Sequence, residues 1–209
     1  MDERIIMTPD CVAEGAAHLA RAEPRFAAVL DQTGPLPLRR KDDGFEALLS
    51  AIVSQQVSVA AASAIWGRLA ASGATTPAMI ALADDDALRA CGLSRQKVRY
   101  ARALAQAGID FDALRLAPTA DVVRTLVAVP GVGVWTAEIY AMFSLGRADV
   151  FAPGDLALQE AARMIFDLPD RPREKALREM AMAWAPWRAV AARLLWAYYN
   201  LEKQREGIR

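Results

Sequence analysis

Two short stretches hold residue types whose spacing could do chemistry. The first is Pro130-Gly131-Val132-Gly133-Val134-Trp135-Thr136-Ala137-Glu138, which follows the apolar run Leu126-Val127-Ala128-Val129. It reads as the end of one helix, a tight turn and the start of another. Two glycines within three residues let the backbone come close to a neighbour. The amides that open the second helix, beside the positive end of its dipole, form an anion site suited to a DNA phosphate. Taken alone, the pattern fits an ordinary helix-turn-helix corner equally well. The second stretch is Phe151-Ala152-Pro153-Gly154-Asp155, which places a carboxylate 22 residues beyond Gly133 at the opening of a further helix. Asp155 there reads as a plain N-cap unless the hairpin gives it another task.

The elements that position these residues are helical. The chain has 209 residues, of which 44 are alanine, the strongest helix former. Caps and apolar spacing predict helices over about 9–21, 24–32, 45–53, 59–71, 77–82, 85–90, 95–107, 118–127, 134–145, 155–166, 172–184 and 187–204. No strand pattern survives beside them. The break Gly34-Pro35-Leu36-Pro37 is the best linker. Lys+Arg and Asp+Glu are both 25, which excludes a globally polycationic binder but not a local basic face. Residues 88–107 carry five basic and no acidic side chains, and 171–209 nine basic and four acidic, stretches that fit solvated helix faces as well as a DNA surface. Two cysteines exclude a disulfide framework and a four-cysteine cluster, and the single histidine makes a His-rich metal site improbable. No apolar run is long enough to span a membrane, and the acidic, mixed N-terminus has no signal segment, so the default expectation is a cytoplasmic protein. His18, Cys11 and Cys91 read as structural, and Trp66, Trp184 and Trp187 as core.

The hairpin, the Val150–Asp155 loop, the upstream Gln55-Gln56-Val57-Ser58 and Trp184-Ala185-Pro186-Trp187-Arg188 together resemble the helix-hairpin-helix DNA repair glycosylases, and within them the DNA-3-methyladenine glycosylase II family in its compact form, without an N-terminal β-domain. The resemblance covers roughly residues 44–200. It implies an all-α, two-lobed fold, with a central domain at 44–152 holding the helix-hairpin-helix (about 126–145). A second, discontinuous domain is implied, made of 1–43 plus 153–209, with the active cleft between the lobes. Two departures matter. Trp135 stands where lyase-active members carry the Lys that forms a Schiff base, so monofunctional hydrolysis is implied. The longer relatives place tyrosines at the positions of Ile139 and Ala197.

The implied reaction is hydrolysis of the bond between deoxyribose and an alkylated, 3-methyladenine-like base in duplex DNA. Asp155 would stabilise the positive charge growing on the sugar, and would also orient or deprotonate water, two roles the sequence leaves open. Trp135, Trp196 and Tyr140 would line the pocket of the electron-poor base. Gln56 would fill the hole left by the flipped base. Gln55, Ser58, Gly131, Val132, Gly133 and Thr136 would complete the DNA contacts. The backbone carbonyls of Val127, Val129 and Val132 are where a structural monovalent cation would sit; no other cofactor is expected. The expected partner is double-stranded DNA with alkylated bases, met by a monomer in the cytoplasm, at the nucleoid in a bacterium. Three rival readings remain at this point: a non-catalytic helix-hairpin-helix DNA-binding module, a glycosylase for another base lesion, and an unrelated helical protein with a chance hairpin.

Overall fold

The computed structural model describes residues 3–207. These residues form thirteen α-helices and one 3-10 turn, with no strand among them beyond a single bridge between Ile5 and Arg147. The helices are α1 (Pro9–Ala22), α2 (Pro24–Thr33), α3 (Phe45–Ser54), α4 (Val59–Ala71), α5 (Pro77–Leu82), α6 (Asp85–Ala90) and α7 (Arg95–Gln106). They continue with α8 (Phe111–Leu116), α9 (Thr119–Val127), α10 (Val134–Phe143), α11 (Leu156–Ile165), α12 (Glu174–Met180) and α13 (Arg188–Gly207). The all-α expectation holds.

Side-chain caps explain where many of the helices start, although α3, α9 and α12 have none. Thr8, Ser58, Thr76, Asp84 and Ser94 each accept a hydrogen bond from the amide three residues on, and Glu23 from the amide two on. Each satisfies an amide that has no partner inside its helix. Helix α8 is absent from the sequence expectation, although it has the same signature: Asp110 accepts from Asp112 N at 3.0 Å and from Ala113 N at 2.9 Å. The helix expected over 172–184 splits, its last turn tightening to a 3-10 turn at Ala181–Trp184 ahead of Pro186.

The chain divides into two helical units, residues 1–40 with 141–209 and residues 41–140. In the first, α13 is the central element and packs on α1, α2 and α11. Its Val190, Ala191, Ala192, Leu194 and Leu195 are wholly buried. Trp184 centres an aromatic cluster, with Phe26 at 5.3 Å, Phe151 at 5.4 Å and Phe166 at 5.9 Å between ring centroids. In the second, α3 buries Leu48, Leu49, Ile52 and Val53 against α4 and α7. Residues 141–152, expected in the central domain, pack instead with the first unit. Three backbone hydrogen bonds tie them there: Ile6 N to Gly146 O (2.7 Å), Ala148 N to Arg4 O (3.0 Å) and Ala189 N to Ala148 O (2.9 Å). Among the described residues, no helix is long and apolar enough to cross a membrane.

The crossing of α1 and α13 is close. A Cβ on Gly15 would lie 2.6 Å from Trp187 Cε3 and 2.7 Å from Val190 Cγ2. Gly15→Ala should therefore lower thermal stability, because overpacking costs about 1–3 kcal/mol and outweighs the ~1 kcal/mol gain in helix propensity. A melting midpoint at or above that of the parent chain would refute this contact.

Candidate active site

Asp155 is the N-cap of α11. Its Oδ1 accepts from Ala157 N at 2.9 Å and Leu158 N at 3.1 Å. The indole Nε1 of Trp196, on α13, donates to the same oxygen at 3.3 Å. These contacts orient the carboxylate from two helices. The loop before it is held as tightly: Asp155 N donates to Ala152 O at 3.0 Å, and the buried Gln159 amide reaches back one turn to Pro153 O at 2.8 Å. Trp196 is half-buried, with Phe143 against it at 5.7 Å between centroids. The guanidinium of Arg193 lies 4.8 Å from the centroid of Phe143. Arg193 is 1% exposed and donates to the carbonyls of Ala189 and Leu38. Burial, with Arg39 and Arg40 nearby, pushes its pKa down to about 10, still far above neutrality. A bidentate pair, Arg188 to Asp149 at 2.7 and 2.8 Å, clasps the start of α13 to the loop six residues before Asp155, and raises the Arg188 pKa.

The hairpin joins α9 to α10. Val129 N bonds Leu126 O at 3.1 Å, Val132 N bonds Val129 O at 3.0 Å, and Ala137 N bonds Gly133 O at 3.0 Å, the first turn of α10. Val129 and Val132 are buried and anchor the turn, whereas Val127 is exposed. Gly131 has φ +94, and a Cβ on it would meet Tyr100 Cδ2 at 2.6 Å, so this glycine is required twice over. Gly133 is different: a Cβ there meets nothing within 4 Å. Trp135 is 46% exposed on the first turn of α10.

The remaining expected site residues fall into distinct places. Gln56 is exposed with φ +55, at the tip of the turn between α3 and α4. The side-chain amide of Gln55 donates to Gly131 O at 2.9 Å. Ser58 is occupied as the cap of α4, accepting from Ala61 N at 3.2 Å. Thr136 is buried inside α10, so its side chain offers no surface to DNA. Tyr140 is 5% exposed, and its hydroxyl accepts from Gly44 N at 2.8 Å, which fixes the start of α3. The structure thus joins Asp155 with Trp196, and the Gln55 turn with the hairpin.

Residues 49–186 match the HhH-GPD superfamily base excision DNA repair protein. The chain belongs to the HhH-GPD superfamily. It is 31% identical to DNA-3-methyladenine glycosylase 1 of Schizosaccharomyces pombe, over 92% of this chain and 90% of that protein. Its fold is similar to the crystal structure of DNA-3-methyladenine glycosidase from Bacillus halodurans, with a TM-score of 0.83, 32% identity and coverage of 98% and 95% of the two chains. The S. pombe 3-methyladenine DNA glycosylase in complex with abasic DNA gives a TM-score of 0.76 at 28% identity, over 88% of this chain and 95% of that one.

Sequence reading passed over the residues of this HhH-GPD chain that support the site. Gln159 was signalled only by a polar side chain one turn after Asp155. Phe143 and Asp149 have no local signal, because each acts on a residue distant in sequence. The Tyr140 hydrogen bond can be tested directly. Burial pushes its phenol up to about 12 from 10.0, so the folded state keeps a proton that the unfolded chain has lost. Stability should therefore fall as pH rises from 10 to 12. Tyr140→Phe should remove its share of that fall in pH-dependent unfolding, and should cost about 1–3 kcal/mol at neutral pH by stranding Gly44 N–H. Unchanged neutral stability would mean the hydrogen bond is not made.

Proposed function

We propose that this chain is a monofunctional DNA glycosylase of the 3-methyladenine type, hydrolysing the bond between deoxyribose and an alkylated base in duplex DNA. The observation that carries the reading is the carboxylate of Asp155, a residue of the segment that matches the superfamily, held by two helix amides and the Trp196 indole. The names of the relatives, and the abasic DNA bound by one of them, support the substrate class.

Alkylation of a ring nitrogen makes the base cationic and a good leaving group. The C1′–N bond breaks with its electron pair going to the base, and the sugar becomes oxocarbenium-like. Asp155 faces that charge, and its fixed orientation avoids reorganisation as the charge grows. Water then forms the new C1′–O bond and gives up a proton. Trp196, bonded to Asp155, offers an aromatic face to the electron-poor base, worth ~0.5–2 kcal/mol. The amides of the first turn of α10, ahead of the Ala137–Gly133 bond, suit a phosphate oxygen, and the open space at Gly133 lets it approach. Gln56 is the candidate plug for the vacated stack. The turn carbonyls of Val127, Val129 and Val132 are neutral oxygen donors suited to a monovalent cation, which would add positive charge beside that phosphate. Trp135 has no amine, so the sugar is released without a covalent adduct. A DNA substrate, together with two free cysteines, favours work in a reducing cytoplasm.

Asp155→Asn should stay folded, since asparagine caps a helix about as well as aspartate. Single-turnover release of methylated bases should fall by about 10²–10³, as for loss of one preorganised transition-state group, while binding to damaged DNA persists. A rate near that of the parent chain would reduce Asp155 to a helix cap. Borohydride should trap no protein–DNA species, and a trapped adduct would contradict hydrolysis without lyase chemistry. Gly133→Asp, sterically accommodated, should weaken binding to undamaged duplex across a salt series by placing a carboxylate against the phosphate. Equal affinities would remove the hairpin from the DNA surface.

A further inference from the structure

On the reading above, two irregular pieces of one helical unit must act on the same DNA: the turn that carries Gln56 and the hairpin at Gly131. One helix, α7, touches both. The ammonium of Lys97 donates to Val53 O at 2.6 Å, a carbonyl in the last turn of α3, immediately before the Gln55-Gln56 turn. Carbonyls there lack a partner within the helix, and a side-chain donor supplies one. Lys97 is only 9% exposed, and burial lowers its pKa. Neighbouring positions of α7 that face the core are apolar: Val98, Ala101 and Leu104. An ammonium at 97 costs desolvation that packing alone does not require.

One turn further along α7, the Tyr100 ring lies against Gly131, where a Cβ would meet its Cδ2 at 2.6 Å and its Cβ at 2.7 Å. Gln96 holds the phenol, donating to Tyr100 Oη at 2.5 Å. Gln55 closes the circuit by donating to Gly131 O at 2.9 Å. Gln55, Gln56, Gln96, Lys97 and Tyr100 surround a small cavity of about 220 Å³. Gln56 itself sits at φ +55, a conformation that persists only where the surroundings over-determine it.

We propose that α7 is a bracket, in which Lys97 and Tyr100, joined by Gln55, are positioning residues that hold the Gln56 turn at a fixed spacing from the hairpin. The grip of the hairpin on a phosphate is thereby converted into insertion of Gln56 at the neighbouring base step. This rests on the proposed roles of the hairpin and of Gln56, and assigns neither Lys97 nor Tyr100 a contact with the reacting atoms.

The test uses the full chain with Lys97→Met and Gln55→Ala, each compared with Gln56→Ala. Affinity for undamaged duplex reads the hairpin, and should stay within about twofold of the parent chain at each salt concentration. Single-turnover excision of a methylated base opposite its normal partner should fall by about 10-fold to 100-fold, the scale of a small misplacement far from the chemistry. Placing the same lesion in a mismatch lowers the cost of flipping, so the deficit should shrink there. A merely structural role predicts equal losses on both substrates, and that result overturns the bracket. So does excision from the paired substrate within about twofold of the parent rate, a change too small for a mispositioned group. Gln55 is half-buried at the surface, so Gln55→Ala carries the test by itself should Lys97→Met not fold. Loss with Gln56→Ala but not with the other two overturns the bracket and leaves the role of Gln56 standing. No loss with Gln56→Ala overturns both.

Discussion

A single oxygen, Asp155 Oδ1, binds the first turn of α11 and the indole of Trp196 at once. The carboxylate cannot rotate without giving up two helix-capping bonds and the bond to α13 together. The neighbouring contacts protect that arrangement. Gln159 fixes Pro153, the Asp149–Arg188 pair fixes the loop to the start of α13, and Phe143 backs the indole. Residues separated by 41 positions thus become one rigid group, as the proposed electrostatic stabilisation of a short-lived positive charge would require. The same bonds that preserve the helix preserve the orientation of the charge.

Charge in this chain is neutral in sum and uneven in use. Several arginines form exposed pairs within one helix, such as Arg89–Asp86, Arg124–Asp121 and Arg178–Glu174, contributing about 0–1 kcal/mol each. The basic run at 88–107 is not the continuous face its composition suggests. Lys97 turns inward to Val53 O, and Arg102 is engaged by Asp85 and by the carbonyls of Ile80 and Ala83. Arg95 and Arg99 remain on the exposed side of α7. Lys97 and Arg193 share a device: a buried cation that donates to a backbone carbonyl of a distant segment, Val53 O for Lys97 and Leu38 O for Arg193.

The sequence by itself determined most of the helices, because many of their starts depend on groups two or three residues apart. Thr8, Ser58, Thr76, Asp84, Ser94 and Asp155 all announce caps that the structure contains, and Asp110 announced one that pattern reading passed over. The superfamily was legible for a similar reason: its hairpin glycines and the following Gly154-Asp155 are short local patterns, and the φ of Gly131 depends on its own residue type. Tertiary structure alone decided what each polar side chain does. Tyr140 meets Gly44 from 96 positions away, Gln55 meets Gly131 from 76, and Lys97 meets Val53 from 44. Nothing in the sequence distinguishes an exposed Thr136 from a buried one, or a Tyr140 that stacks on a base from one that holds a backbone amide. Local hydrogen bonds are selected by the chain's own geometry over a single helical turn. Long-range ones are selected only when packed helices bring a donor to within about 3 Å of an acceptor and exclude the water that would otherwise compete for it.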